Sequence, residues 1–465
     1  MAVQSAEQIT FDFLPQFPVI VQRHKGHLSS DAGLLPLRQF DDRWKFTARM
    51  TDCLGDDKAD RKHSLLSMVR QRVYGIIAGY EDCNDHDTLR EDPVFKLIAG
   101  EGAPVDQPVL ASQPTLSRFE NQVTPAMLLK LIEFNIATGV ERLRQHHGGQ
   151  LPASLILDLD STDDPTHGHQ QLSLFHGYYD QHQYYPLIIS EPTTRHVFVS
   201  WLRFGTAHPS LGADDDLMRV VNALRAQRPG IQIHVRGDAG YGLPLMYEVC
   251  ENNGLSYTFG FTTNARLKRM TGRLMQRAKE QHQQTKHKAR LFECFHYKSK
   301  TWSAARSVIA KAECHADGTN LRFVITNLPV DPSPAGWLDD PVGRLVYDDY
   351  IMRGESEHRM DELKNGLSAG RLSCHRFMAN FFRLLLHTAA FNLLNAIRDD
   401  HQLPEVLRAG QPCTWRMMLV KVAAEIVIST RRVVVRLAGH WPWWPMYQAV
   451  SARSTRFNPF FCPSS

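Results

Sequence analysis

Four side chains suited to gripping and cutting a phosphate ester follow one another at helical spacing late in the chain. Arg353, Glu357 and Lys364 follow Tyr350 by three, seven and fourteen residues. At about 100° per residue, an α-helix would place all four in a stripe roughly 60° wide. Two cations, a phenol and a carboxylate suit a hydrophobic core poorly. The pattern indicates a surface that holds a phosphodiester backbone while the carboxylate binds a metal ion.

Two aspartates upstream complete a set of three acids. Asp160 ends a predicted strand at 154–160, and Asp238 follows a predicted strand at 231–236. Cutting or transferring a phosphodiester requires an activated oxygen nucleophile and a neutralised leaving oxygen, and two Mg²⁺ ions held by a few carboxylates supply both. We therefore predict Asp160, Asp238 and Glu357 as catalytic residues and ligands of two Mg²⁺ ions, for which Mn²⁺ can substitute.

Other acids compete for these positions. The alternatives to Asp160 are Asp158, Asp163 and Asp164. We favour Asp160 because it is the last residue of its strand. Glu355 is the alternative to Glu357, although it would project about 200° away on a helix. Each acid also has an ordinary interpretation, because strand-end aspartates are usually turn residues and Arg353 with Glu357 could be an incidental pair on a solvated helix.

A basic segment lies between the second and third acids. Residues 266–290 hold nine lysines and arginines against one acid, Glu280. Such a run is by default a solvated helix or loop, but next to a phosphodiester site it indicates a surface that follows a DNA backbone. The residues predicted to contact DNA there are Arg266, Lys268, Arg269, Arg273 and Arg277.

Composition sets broader limits. The 465 residues are 43% hydrophobic and 22% charged, which predicts a soluble folded protein of several domains. A net charge of +4 would not by itself indicate nucleic acid. The eight cysteines contain no Cys-x-x-Cys pair and predict neither a zinc site nor disulfides. Without a signal-peptide pattern or an uninterrupted apolar span, we expect a cytoplasmic location, on the nucleoid when DNA is bound, and no membrane association.

Periodicity predicts the elements that position these residues. Helices are predicted at 64–78, 113–121 and 125–146, which makes the region 1–148 mainly helical. Strands are predicted at 154–160, 184–190, 196–203, 231–236 and 256–261, with helices at 214–227, 243–252 and 375–398. This order is typical of a ribonuclease-H-like mixed sheet, in an α/β fold with core segments 149–264 and 346–400. A basic, largely β insertion domain at 265–345 interrupts the core, and an extension at 401–465 carries a predicted helix at 413–429 and a strand at 431–437.

The four-residue stripe resembles the Tyr-Arg-Glu-Lys signature of bacterial DDE transposases of the insertion-sequence 4 type. More narrowly, the chain is similar to the insertion-sequence 1380 family. The segments that carry this resemblance are 78–82, 110–121, 157–168, 175–179 and 326–328. The similarity covers roughly residues 20–440.

The resemblance implies a transposase whose ribonuclease-H-like core carries Asp160, Asp238 and Glu357 as metal ligands. It implies that Tyr350, Arg353 and Lys364 contact transposon-end DNA, and that the N-terminal region helps to recognise the terminal inverted repeats. The expected activity is strand cleavage followed by joining of the 3′-hydroxyl to target DNA, by a dimer synapsed on two ends. The alternatives are a nuclease that cuts without joining and an inactive, transposase-derived DNA-binding repressor.

Overall fold

The computed structural model describes residues 8–11, 13, 17, 19–23, 26–55, 62–101, 108–334 and 339–457. Within these ranges the strands are β1 (Gln8–Phe11), β2 (Val19–Gln22), β3 (Leu28–Ser29), β4 (Ser154–Ser161), β5 (Asp164–Pro165), β6 (Leu174–His176), β7 (Gln181–Tyr184), β8 (Leu187–Glu191), β9 (His196–Trp201), β10 (Gln232–Gly237), β11 (Ser256–Phe261), β12 (Ala289–Tyr297), β13 (Arg306–His315), β14 (Gly318–Thr326), β15 (Ala424–Ile428) and β16 (Val433–Leu437).

The α-helices are α1 (Leu34–Trp44), α2 (Phe46–Asp52), α3 (Leu65–Ala78), α4 (His86–Leu89), α5 (Pro93–Ala99), α6 (Gln113–Asn121), α7 (Pro125–His146), α8 (Ala213–Gln227), α9 (Pro244–Asn252), α10 (Ala265–Met270), α11 (Gly272–Thr285), α12 (Pro341–Ile351), α13 (Gly354–Asp361), α14 (Phe377–Arg398), α15 (Glu405–Arg408), α16 (Pro412–Trp415) and α17 (Trp444–Arg456). A 3₁₀-helix spans Cys83–Asp85, and π-helices span Glu362–Gly366 and Arg416–Val420.

Eight strands form one mixed sheet in the order β12-β13-β14-β11-β10-β4-β8-β9. At its centre β10 runs parallel to both β4 and β11. Strands β8 and β9 continue from β4 as antiparallel neighbours, and β14 pairs antiparallel with β11. The fold is therefore mixed α/β with a large mixed sheet, as the sequence predicts. The carboxyl ends of β4 and β10 lie side by side because the two strands are parallel neighbours.

Most central elements lie close to their predicted positions. Helix α7 and strand β11 have the predicted bounds, and α8 begins one residue earlier than predicted. Their sequences carry strong local signals. Thr124 caps α7 by accepting a hydrogen bond from the Met127 backbone nitrogen, and a proline occupies the first turn.

The predicted helix at 413–429 is wrong. That segment contains α16, a π-helix and then β15, which pairs with β16 and with β3. A short apolar run does not by itself distinguish a strand from a buried helix. The main partner of β15, the strand β16, follows directly in a hairpin, whereas its second partner, Leu28–Ser29, lies almost 400 residues upstream and gives no local signal.

Helix α14 is the central helix of the structure. It lies against edge strand β9, where Asn392 bonds both the nitrogen and the oxygen of Val197, at 2.9 and 3.0 Å. This pairing covers an edge that would otherwise be open. Among the described helices, α14 is long and apolar enough to cross a membrane, and α6 with α7 qualifies only as a pair bent by 92°. However, 89% of the apolar window of α14 is buried inside the protein.

A buried ion triad fastens α14 to the N-terminal helical region. Glu120 accepts hydrogen bonds from Arg72 at 2.8 Å and from Arg383 at 2.6 Å. All three side chains are at most 5% exposed. Both guanidinium groups therefore bind one carboxylate, and the triad keeps a net charge of +1.

The segment predicted as an insertion extends the main sheet. It begins with α10 and α11 and continues with β12, β13 and β14, of which β14 pairs with β11. The C-terminal segment returns to the N-terminal region, where the ring of Phe457 lies 4.2 Å from that of Phe40. The division into domains stays a prediction.

The stripe of four residues does not lie on one continuous helix, contrary to the prediction. Helix α12 ends at Ile351, α13 begins at Gly354, and a π-helix follows from Glu362. Arg353 lies in the turn between the two α-helices. The wider turn of the π-helix changes the direction of Lys364 from the one that an α-helix would give.

Candidate active site

Strand register brings the first two acids together. In the parallel pair of β4 and β10, Gly237 lies opposite Leu159. Extending this register by one residue places Asp238 next to Asp160, on strands about 4.8 Å apart. The Asp238 carboxylate accepts a 2.8 Å hydrogen bond from the Gly240 backbone nitrogen, and the Asp160 carboxylate accepts one of 2.9 Å from that of Ser161. Each backbone bond fixes one carboxylate oxygen.

Arg353 connects Asp160 to the third acid. Its guanidinium donates to Asp160 Oδ2 at 3.2 Å through one terminal nitrogen and to Glu357 Oε1 at 3.1 Å through the other. The side chains of Arg353 and Asp160 are each 12% exposed, whereas that of Glu357 is 67% exposed. The structure thus places a cation between two of the three predicted acids.

The charges of this group act on one another. Burial raises the pKa of Asp160 to about 6, although Arg353 opposes the rise, and the charges of Asp238 and Glu357 add to it. Burial alone would lower the pKa of Arg353, but Asp160, Tyr350 and Glu357 outweigh it and raise that pKa. These mutual effects show that the three acids and the arginine share one electrostatic site.

Tyr350 lies against the same group. The Arg353 guanidinium lies 5.8 Å from the centre of the Tyr350 ring. A Cβ atom on Gly260 would come within 2.9 Å of the Tyr350 hydroxyl and within 2.7 Å of the Ala239 backbone nitrogen. A glycine in β11 therefore allows the tyrosine and the loop of Asp238 to approach closely.

The three acids are not arranged as a metal-binding site in this structure. Within the described ranges, no group of three or more histidine, cysteine or acidic side chains is arranged to hold a metal ion. The Arg353 guanidinium lies between Asp160 and Glu357, and the Glu357 side chain is exposed. The acids nevertheless offer only oxygen donors, the type that Mg²⁺ prefers.

Lys364 points to a different acid. Its Nζ lies 3.0 Å from Asp163 Oδ1, at the rim of a small cavity of about 20 Å³. Asp164 lines the same cavity, and burial raises its pKa well above the usual value.

Asp158, which the sequence offered as an alternative to Asp160, has arginine partners at both carboxylate oxygens. Arg236 donates to both of its oxygens, at 2.7 and 3.0 Å, and Arg359 donates to Oδ2 at 2.8 Å. Sequence reasoning missed both arginines. One signal was present, because Arg236 interrupts a strand of buried residues, and a buried cation needs a carboxylate nearby.

The basic residues predicted to contact DNA lie on α10 and α11. All five are exposed, while Leu267, Leu274 and Ala278 on the opposite side of these helices are buried. Arg266 also lies over the Tyr297 ring, 4.9 Å from its centre. The helices therefore pack by an apolar face and present a cationic face to solvent. DNA contact by these residues stays a prediction.

The structure thus combines a large mixed sheet, aspartates at the ends of two neighbouring parallel strands and an acidic helix late in the chain. The family described as "Transposase DDE domain group 1" matches residues 13–458. The chain therefore belongs to the DDE transposase family. A comparison with curated proteins gives no match.

Proposed function

We propose that this protein binds the terminal inverted repeats of an insertion sequence, cleaves the strands there and joins the freed ends to target DNA. Cleavage is hydrolysis of one phosphodiester and leaves a 3′-hydroxyl. Joining is attack of that hydroxyl on a target phosphodiester, with release of a target 3′-hydroxyl. Both reactions are in-line displacements at phosphorus, so one set of acids can serve both.

One observation carries this proposal. The guanidinium of Arg353 lies between Asp160 and Glu357, and strand register places Asp238 next to Asp160. The contact of two of these acids with a cationic side chain supports the proposal that this anionic group binds cations. A site with only carboxylate oxygens suits Mg²⁺, or Mn²⁺ in its place.

Each residue has a proposed task. Asp160, Asp238 and Glu357 hold two divalent ions, which when bound activate the attacking oxygen and neutralise the leaving oxygen. Tyr350, Arg353 and Lys364 contact the backbone of the transposon end, for which Arg353 and Lys364 exchange their present carboxylate partners for phosphates. The exposed cations of α10 and α11 hold a further stretch of the duplex.

The topology supports a ribonuclease-H-like core. Three antiparallel strands, β4, β8 and β9, are followed by β10 and β11 through helical crossovers, and β4 lies at the centre of the five. We assign the chain to the insertion-sequence 1380 family and the segment of α10 to β14 to the insertion of its core. Function on two ends would require a dimer on DNA.

A cleavage and joining assay tests the proposal. Full-length protein is incubated with Mg²⁺, target plasmid and a DNA fragment that carries the inverted repeats flanking the coding sequence. We expect cleaved ends and joined products. Asp238→Asn and Glu357→Gln should each lower both by at least about a hundredfold while DNA binding persists. Glu355→Gln is the matched control, since Glu355 is also exposed on α13.

Each outcome assigns a class. Cleavage without joining would indicate a nuclease. Binding to the ends without any metal-dependent product would leave a DNA-binding protein only. Equal activity of the Glu357→Gln and Glu355→Gln proteins would contradict the assignment of the third acid.

A further inference from the structure

A second layer of charged side chains lies beneath the acids. Asp158, Arg236 and Arg359 are 0%, 2% and 8% exposed. Asp158 and Arg236 precede Asp160 and Asp238 by two residues, and Arg359 follows Glu357 by two. Along a strand, residues two apart share a face. Each residue of the buried group therefore lies two residues along the chain from one predicted metal ligand.

The contacts join three elements at one carboxylate. Asp158 lies opposite Arg236 in the register of β4 and β10, and Arg236 holds both of its oxygens. Arg359 reaches the same carboxylate from α13. Arg236 also donates to the Asp349 backbone oxygen at 2.7 Å, which connects it to α12. Two strands and two helices thus meet at a single group.

Helix α13 depends on this connection. Among its described side chains, that of Arg359 is the buried one, and Glu355, Glu357, His358 and Asp361 are exposed. Met360 is half-buried and packs against the core, but apolar packing is non-directional. A charge-assisted hydrogen bond to a buried carboxylate is directional and fixes both distance and rotation.

We propose that Asp158, Arg236 and Arg359 form a positioning network that holds α13 against β4 and so sets where Glu357 lies relative to Asp160 and Asp238 when metal ions bind. The inference rests on the proposed function, because it assigns the network to that metal site. The network touches neither DNA nor metal. Asp158 receives the two arginines, Arg236 aligns β10 with β4, and Arg359 holds α13 against β4.

The chain offers a matched control for a purely structural role. The triad of Glu120, Arg72 and Arg383 has the same composition, one buried carboxylate with two arginines, and joins α6, α3 and α14. Loss of one arginine should destabilise the fold in either triad, because the carboxylate is left with a single partner. Only loss of Arg359 should change metal binding.

The experiment measures Mn²⁺ binding to full-length protein by electron paramagnetic resonance, below the melting temperature of every variant. We expect wild type to bind Mn²⁺ and Glu357→Gln to bind it weakly. Arg359→Met should weaken binding roughly tenfold to a hundredfold, the range for residues that orient metal ligands. Arg383→Met should bind as wild type does. Arg359→Lys, which keeps the charge, should recover part of the affinity.

Equal Mn²⁺ affinity of wild type and Arg359→Met would overturn the network, and so would equal weakening by Arg359→Met and Arg383→Met. If Arg359→Met does not fold, Arg359→Gln replaces it, and wild-type affinity in that variant counts against the network. Glu357-dependent binding without cleavage or joining would reject the proposed function and leave the network standing. No Glu357-dependent binding by wild type, with or without DNA, would overturn both.

Discussion

At the scale of single residues, Arg353 supplies a counter-charge to two of the three acids, Asp160 and Glu357. Carboxylates that share a site repel one another, and the first effect of crowding is a raised pKa. The guanidinium bridges Asp160 and Glu357 and offsets part of that repulsion. A divalent ion that binds the same oxygens must therefore displace this contact.

Replacing Arg353 tests that competition. Arg353→Gln should melt at a lower temperature than wild type in EDTA, because the acids lose their counter-charge. Mn²⁺ should then raise the melting temperature of the variant by at least about 2 °C more than that of wild type, since no guanidinium has to leave. Differential scanning calorimetry measures both shifts. Arg344→Gln is the control, as Arg344 pairs with the exposed Asp339. If Mn²⁺ raises the melting temperatures of Arg353→Gln and wild type equally, Arg353 does not compete with the metal for Asp160 and Glu357.

Protonation of Asp160 should also limit metal binding. Burial raises the pKa of Asp160 to about 6, so below that pH a proton competes with the metal for the carboxylate. Mn²⁺ affinity should be nearly constant above pH 7 and fall as the pH drops from 6 to 5, by up to about tenfold per pH unit. Mn²⁺ titrations at fixed ionic strength measure this dependence. The residual affinity of Asp160→Asn should vary less, and a flat wild-type profile would show that Asp160 is not a ligand.

At the scale of elements, the sequence predicts what local periodicity controls. Alternation in β11 and the capped apolar stripe of α7 are each complete within one segment, and both elements have the predicted bounds. Strand β15 forms a local hairpin with β16, whereas its second partner, at Leu28–Ser29, is distant and gives no local signal.

For the candidate site, too, the sequence predicts the residues but not the contacts that depend on the tertiary structure. The types and spacing of residues were sufficient to select Asp160, Asp238 and Glu357 as candidates. The break between α12 and α13 and the carboxylate chosen by Lys364 depend on tertiary contacts. The pairing of Asp158 with two arginines depends on register and on the approach of α13, which one sequence does not reveal.

The ends of α7 and α14 are joined by a titratable contact. His146 lies 2.9 Å from Asp399, and that hydrogen bond raises the pKa of the imidazole, although burial opposes the rise. A raised pKa contributes stability that is fully present below the unfolded value of about 6.5 and is lost as the pH rises through the folded value. His146→Gln should therefore lower the melting temperature more at pH 6 than at pH 8.

Thermal denaturation of wild type and His146→Gln at the two pH values measures this difference. His440→Gln, at an exposed position, controls for the loss of a histidine as such and should show no pH-dependent difference from wild type. A His146→Gln effect of the same size at both pH values would mean that the contact acts through packing alone.

At the scale of the whole molecule, the net charge is small, but positive charges are concentrated in one segment. The chain carries a net charge of only +4, yet α10 and α11 present a row of exposed cations. Strand β14 pairs with β11, the neighbour of the strand that precedes Asp238. The segment with the cationic helices is therefore hydrogen-bonded into the sheet that carries the acids. A DNA duplex that crosses the sheet at the carboxyl ends of β10 and β11 would contact both the acids and the cationic helices.

The salt dependence of DNA binding tests that path. Each phosphate contact that is lost lowers the slope of log affinity against log salt by about 0.9, because fewer counterions are released. Lys268→Gln/Arg269→Gln should lower the slope by about one to two, whereas Arg431→Gln/Arg432→Gln, at exposed cations of the C-terminal segment, should leave it unchanged. Fluorescence anisotropy over a salt series with inverted-repeat DNA measures both slopes. Equal losses from the two pairs would mean that net charge alone governs binding. An unchanged slope in the first pair would place the duplex away from α10, and the acids would then have to receive DNA from the opposite side of the sheet.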